Sequence, residues 1–412
     1  MDLYDDQLSR PFVRHVRLRN YKSIAECDLE LGRLNLIVGR NGAGKSNFLD
    51  AIGFVTDALR WQLDQAIRTR GGMDEVRRKQ AGTGRPHNFS IEIELELAPT
   101  QIATYHVGIA ARPPRGFLVK PEELTLRNTA GETSGHFKVT DGQVENGPQR
   151  ALPLAAPDRL YLVAASSVAP FRSVFEALDA MRVYNLNPGR MRQTQAPDAG
   201  DRLSGDGENI AGVVARLASE KPEVLTRITE YLASIVPGIR SVSRRAHGPI
   251  ETLEFGMKSS ESEKEMKFTA LNMSDGTLRA LGVLVAAQQL TDRSKPMTLV
   301  GIEEPEVALH PAAAEALLDA LRDAATHTQI VITTHSPDLL DFVRPSDDER
   351  LFVAEMQRGR TLIAEPDRAT MNAIRDHLYT AGELLRMDQL QPRRQRRRST
   401  DSEGSLFDEG DT

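Results

Sequence analysis

The sequence predicts an α/β protein: a mixed central sheet with helices, flanked by an antiparallel β lobe and a helical lobe. Three observations predict it. Gly39-Arg40-Asn41-Gly42-Ala43-Gly44-Lys45-Ser46 lies between an apolar run, Leu34 to Val38, and an amphipathic one, Phe48 to Leu59, the strand-loop-helix setting of a phosphate-binding loop. Phe89, Ile91, Ile93, Leu95 and Leu97 alternate with Ser90, Glu92, Glu94 and Glu96, the pattern of a sheet with one wet face. The last third alternates strand-like and helix-like segments, the rhythm of a layered α/β sheet.

Taken in order, Val16 and Leu18, then Leu29 and Leu31, alternate with charged neighbours, so 12–38 reads as paired strands turning at Asn20-Tyr21-Lys22-Ser23. Apolar residues at helical spacing then carry a core-facing helix to about Trp61. A Gly- and Arg-rich stretch, Arg68 to Arg85, interrupts the pattern. Short strands are expected at Tyr105 to Ile109, Gly116 to Val119, Phe137 to Val139 and Leu160 to Val163, which makes about 87–165 the antiparallel lobe. Residues 171–183 read as a helix, and 208–235 as a helix pair broken near Pro222, so the helical insert spans about 171–238. No segment sustains heptads, which excludes a long coiled coil. A basic patch (Arg240, Arg244, Arg245), a strand at Thr252 to Phe255 and a polar loop, Ser259 to Lys264, come next. Strands at Met297 to Ile302, Gln329 to Thr333 and Leu351 to Ala354 then alternate with helices at Pro311 to Ala324 and Pro337 to Phe342. The head is expected to end near residue 388, leaving 389–412, basic and then acidic, as a disordered tail.

Composition sets the class. Across 412 residues, 40% are hydrophobic and 27% charged, as in soluble globular proteins. A net charge of −6 gives no global pull toward nucleic acid or membrane. Cys27 is the one cysteine, which leaves no internal disulfide and fits a reducing cytoplasm. No run is long and apolar enough to span a membrane, and the N-terminus lacks the basic-then-apolar form of a secretory signal.

The chemistry of the glycine-rich loop is specific. Gly39, Gly42 and Gly44 allow successive backbone N–H groups to face one anion, and the helix beginning at Lys45 adds its positive end. Lys45 would reach the β- and γ-phosphates of ATP, and the Ser46 hydroxyl would take one place on Mg²⁺. A metal anchor and a base are then needed, and Thr298-Leu299-Val300-Gly301-Ile302-Glu303-Glu304 offers both: Glu303 as metal ligand and Glu304 as general base. Thr333-Thr334-His335-Ser336-Pro337 closes the next strand and would bring His335 to the γ-phosphate. Ser274 or Asp275 can cap the apolar helix from Leu278 to Leu290, and that helix start is also a candidate phosphate grip for another subunit.

Read in order, NYKSI, GRNGAGKSN, MSDGTLRAL, TLVGIEEPEVALHP and TTHSPDLL resemble the ABC-type P-loop ATPase heads of the SMC, RecF and overcoming-lysogenization-defect (OLD) group. The resemblance runs to about Met387. It implies a Walker A loop at Gly39 through Ser46 with Asn47 beside it, and a signature at Ser274, Asp275 and Gly276. It also implies a Walker B pair at Glu303 and Glu304 and a switch histidine at His335. Two ATP molecules would be sandwiched between two heads, in a homodimer or with a related head, Ser274 of one facing the γ-phosphate held by Lys45 of the other. Asp275 and Thr277 depart from the usual signature, and Glu303 stands where Asp is usual. No Q-loop is evident, since Gln80 is in the wrong context and Ala164 to Pro170 holds no Gln.

Too little chain follows His335 for a nuclease domain of the Toprim type, and the long coils of SMC proteins are absent. A coil-less head with basic clusters at Arg240, Arg244 and Arg245 and at Arg393, Arg394, Arg396, Arg397 and Arg398 points to DNA, to an effector nuclease or toxin, or to both, in antiphage defence or DNA maintenance. The alternative is an ATP-gated scaffold with negligible turnover. A transporter subunit is disfavoured by NYKSI and the missing Q-loop.

Overall fold

One mixed sheet of thirteen strands runs through the described residues. The computed structural model describes residues 10–79, 86, 88–98, 101–112, 116–145, 155–156, 159–258, 265–289 and 297–393. In chain order the strands are β1 (Phe12–Tyr21), β2 (Ile24–Glu30), β3 (Leu34–Val38), β4 (Asn88–Ala98), β5 (Gln101–Arg112), β6 (Gly116–Asn128), β7 (Thr133–Thr140), β8 (Gln143–Glu145), β9 (Arg182–Tyr184), β10 (Ile239–His247), β11 (Ile250–Lys258), β12 (Glu265–Thr269), β13 (Leu299–Glu303), β14 (Gln329–Thr334), β15 (Glu349–Gln357) and β16 (Arg360–Ala364). The large sheet runs β8-β7-β6-β5-β4-β1-β2-β16-β15-β3-β14-β13-β9, and β10-β11-β12 form a separate antiparallel sheet.

The large sheet has two halves. In the parallel half, β15, β3, β14, β13 and β9 pair in parallel. Leu34, Leu36 and Val38 pack toward the helices Asp275–Gln288 and Ala314–Ala325, while Ile37 packs with Phe48 and Leu49 of the helix Lys45–Arg60. Burial on both faces is why these strands read as unbroken apolar runs. In the antiparallel half, β1, β2 and β4 to β8 alternate a buried face with a wetter one that carries Arg17, Glu92 and His106. The β lobe is thus an extension of the same sheet. The halves join where β2 meets β16, through one pair, Thr361 with Ile24.

Several elements differ from expectation. Leu160 to Val163 is not a strand: Tyr161–Ala165 is a helix. The buried Glu122 carboxylate accepts from the N–H of Tyr161 and, at 2.8 Å, of Leu162. It satisfies the orphan donors of a helix start, a partner from β6 that local pattern does not show. The helix expected over 171–183 ends at Asp179, and β9 begins at Arg182, because Val183 and Tyr184 complete the edge of the parallel half against β13. The basic patch, to which the sequence assigned no element, lies on a strand, β10, and the strand expected at Thr252 to Phe255 lies within β11. The helix pair is Ile210–Glu220 and Pro222–Ile235, broken at Pro222. The longest helix among the described residues has 16 residues. β16 and the helices Arg368–Arg375 and Ala381–Arg386 had not been expected. The start of the expected tail is ordered, Arg393 N–H donating to Glu365 O at 2.7 Å. Gln80, the polar run 259–264 and Arg394, Arg396, Arg397 and Arg398 lie outside the described residues.

Candidate nucleotide site

The glycine-rich loop leaves the C-terminal end of β3 and enters the helix Lys45–Arg60, with Gly42 at φ 77° and Gly44 at φ 94°. Ala43 N–H donates to Arg40 O at 3.1 Å, which closes the loop, while Arg40, Asn41, Gly42 and Ser46 stay exposed. Lys45 is buried, and its ammonium donates to Gly39 O at 2.8 Å and Arg40 O at 3.2 Å. Burial holds its pKa below the ordinary lysine value, against the pull of Glu304 and Glu306.

β13 and β14 run parallel beside β3 and end at the same sheet edge. That edge collects the predicted acidic residues. The Glu303 carboxyl is raised above the ordinary range by burial, the neighbouring Ser46 side chain opposing the rise while Asp50 and Glu304 add to it. Glu304 takes a left-handed backbone, φ 44°, and its N–H donates to Thr333 O at 2.9 Å. One of its carboxylate oxygens lies 3.9 Å from the Lys45 ammonium and 3.2 Å from His335 Nδ1, an approach without an aligned hydrogen bond. Glu306, raised by burial, accepts from the Thr334 hydroxyl and from His335 N–H at 3.3 Å. Lys45, Glu304 and His335 therefore converge on one point.

A divalent cation suits this arrangement. A hydroxyl and a carboxylate meet at Ser46 and Glu303, and the crowded carboxylates there carry a desolvation cost that a cation would offset. Among the described residues no group of three or more His, Cys, Asp and Glu forms a cage. Further oxygens would have to come from phosphate and water, as Mg²⁺ prefers.

The signature residues have other neighbours. Ser274 caps its helix, accepting from Thr277 N–H at 3.1 Å, and Asp275 pairs with Arg192. A Cβ on Gly276 would stand 2.2 Å from Ala308 O, so only glycine lets this helix start pack on the segment after β13. None of these neighbours belongs to the phosphate loop.

Two sets of residues were missed. Arg279, buried in the signature helix, donates to the carbonyls of Leu186 (2.7 Å), Glu303 (2.8 Å) and Glu304 (3.1 Å) and so clamps the acidic strand end. An arginine inside an apolar helix run was the available signal. The NYKSI turn grips the helix after the loop. Tyr21 OH donates to Asp50 at 2.6 Å, Lys22 pairs with Asp50 at 2.6 Å, and Ser23 accepts from Asn47 at 2.6 Å.

Residues 140–341 match an AAA domain described as a putative AbiEii toxin of a Type IV TA system, and 15–96 match a second AAA domain. An OLD nuclease from Thermus scotoductus is 21% identical over 389 residues, 90% of this chain and 68% of that protein. The DNA replication and repair protein RecF of Frankia alni is 30% identical over 160 residues, 36% of this chain and 41% of its own length. Among solved structures, an Smc head bound to the C-winged helix domain of ScpA superposes with TM-score 0.53 at 14% identity, covering 87% of this chain and 99% of that one. An Smc head with an extended coiled coil, bound to the C-terminal domain of ScpA derived from Pyrococcus furiosus, gives 0.55 at 12% identity, covering 89% and 99%. Motifs, sequence matches and fold point the same way: the chain has the fold of an Smc head, and its similarities support an ABC-type ATPase head of the SMC, RecF and OLD group.

Proposed function

We propose that this chain binds ATP with Mg²⁺ and hydrolyses it, and that two heads close around the nucleotide to control DNA binding or a partner effector. The observation that carries the reading is the convergence of Lys45, Glu304 and His335, with Ser46 and Glu303 as neighbours beside them. Lys45 would place its charge on the β- and γ-phosphates. Gly39, Arg40, Asn41, Gly42, Ala43, Gly44 and Asn47 would line the phosphates. Glu304, fixed by its strained backbone and by Thr333, would take the proton of the attacking water. His335 would contact the γ-phosphate, its main chain anchored by Glu306. Ser46 and Glu303 would hold Mg²⁺, which when bound neutralises phosphate charge. Ser274, Asp275 and Gly276 would complete the site of a second head, since their neighbours within the chain lie away from its own loop.

Phosphate release with and without DNA tests this, together with particle mass in Mg²⁺ and a non-hydrolysable triphosphate. Turnover and a nucleotide-dependent dimer are expected. A chain that stays monomeric and silent, with no companion head, overturns it.

A second reading, an ATP-gated scaffold for a toxin or nuclease, draws on the hairpin. Arg244 pairs with Glu251 and Arg245 with Glu254, which also pairs with Lys267. Those arginines are largely neutralised as a phosphate-binding patch, so DNA contact in this region would fall to Arg240. Turnover that is negligible with and without DNA, alongside ATP-dependent dimers, would favour this reading. Either role, in antiphage defence or DNA maintenance, suits the cytoplasm, and no helix among the described residues is long and apolar enough to cross a membrane.

A further inference from the structure

The NYKSI turn and β16 meet in a chain of side-chain hydrogen bonds to which the chemistry proposed above gives no role. Thr361 Oγ1 is buried, 2.9 Å from Ala43 O, to which it donates, and 2.6 Å from Ser23 Oγ. Asn47 Nδ2 donates to Ser23 Oγ at 2.6 Å. Each hydroxyl has one proton. Because that of Thr361 is given to the carbonyl, Ser23 must donate to Thr361 and accept from Asn47. The bonds therefore run one way, from Asn47 through Ser23 and Thr361 to Ala43.

This run begins on the first turn of the helix Lys45–Arg60 and ends on the glycine-rich loop. It brackets Gly44, Lys45 and Ser46, the residues proposed to meet the phosphates and the metal. Gly44 is shaped around it: a Cβ there would stand 2.2 Å from Thr361 Oγ1 and 2.7 Å from Ser23 Oγ, and its φ is 94°. The same threonine forms the single residue pair that joins the two halves of the large sheet, its N–H donating to Ser23 O at 2.9 Å.

We infer that Thr361 and Ser23 are positioning residues for the nucleotide. They hold the Ala43 carbonyl and the first turn of the helix in register, so that the N–H groups between them face the phosphates before ligand arrives. This rests on the nucleotide-binding reading above. A loop preset in this way loses less conformational freedom on binding, and its loss raises Kd more than it lowers kcat.

The test uses the full chain and a fluorescent mant-ATP titration in Mg²⁺. Thr361→Val keeps the shape of the side chain and removes the hydroxyl, and about a tenfold rise in Kd is expected, the scale of one buried hydrogen bond. Thr361→Ser retains the hydroxyl and should bind within about twofold of the parent, a rescue that a purely packing role would not give. Ser23→Ala cuts the run from the other lobe and should weaken binding similarly, with Thr361→Val adding little on top. If Thr361→Val fails to fold, Ser23→Ala decides alone. Parental affinity in Thr361→Val, or in Ser23→Ala where that decides, overturns the assignment, as does equal weakening by Val and Ser. A parent that binds no more tightly than Lys45→Ala overturns the nucleotide reading itself, and the inference with it.

Discussion

The two halves of the large sheet handle charge differently. On the antiparallel half, charges on the wetter face are exposed or half-exposed and paired in place: Arg17 with Glu92 and Asp28, and His106 with Glu92, which these partners draw down to about 2. At the end of the parallel half, Glu303 and Glu306 are half-buried and raised by desolvation, while the buried Lys45 is lowered. One half is electrostatically finished, and the other is left under tension that a triphosphate and its cation would relieve. Unbalanced buried charge marks a working site better than charge itself does.

The largest effect should come from the tensioned edge. Glu304→Gln should cut ATP turnover at least about a hundredfold while ATP still binds, measured by phosphate release and nucleotide titration. Unchanged turnover would remove the general-base assignment. Lys45→Ala should come next, weakening ATP about ten- to a hundredfold, the scale of charge-assisted hydrogen bonds, with the melting temperature held or raised because a desolvated ammonium is gone.

Stability should respond at the clamp beneath that edge. Arg279→Leu strands the carbonyls of Leu186, Glu303 and Glu304 and should cost about 3 kcal/mol in denaturant unfolding, at about 1 kcal/mol for each lost bond. In the antiparallel half the exception is Glu122, fully buried and lifted by desolvation from 4.5 to about 7, against the three donors Leu162 N–H, Tyr161 N–H and Tyr105 OH. Its folded pKa lies above its unfolded one. The stability this adds is complete below pH 4.5 and is lost as pH rises through about 7. Glu122→Gln should flatten that slope, cost about 1–3 kcal/mol because one N–H loses its acceptor, and leave turnover unchanged. If turnover fell with stability intact, the halves would be more tightly coupled than one strand pair suggests. The smallest effect belongs to Arg245→Ala on the hairpin: under about 1 kcal/mol, since the pair is exposed, and no change in the salt dependence of DNA binding.

How much of this was legible in the sequence depended on where each constraint comes from. The strand, glycine-rich loop and helix, the buried strands and the acidic strand end could be read because periodicity and spacing are local properties, and Ser274 showed as a helix cap for the same reason. The helix at Tyr161 was misread because its cap comes from Glu122, 39 residues away. β9 was absorbed into a helix because three residues carry too little pattern to reveal an edge strand. The basic cluster at Arg244 and Arg245 looked available only because Glu251 and Glu254 could not be placed across a hairpin.

The amino-acid order alone determined the strand-loop-helix at Leu34 to Leu59, the alternation of β4 and the acidic end of β13, because each depends on residues that are neighbours along the chain. Tertiary structure alone decided that Glu304, His335 and Lys45 share one point, that Arg279 clamps the strand end, and that Ser23 and Thr361, 338 positions apart, close on one loop. Hydrogen bonds and desolvation act over a few ångströms of space, and only the folded sheet brings such distant residues that close.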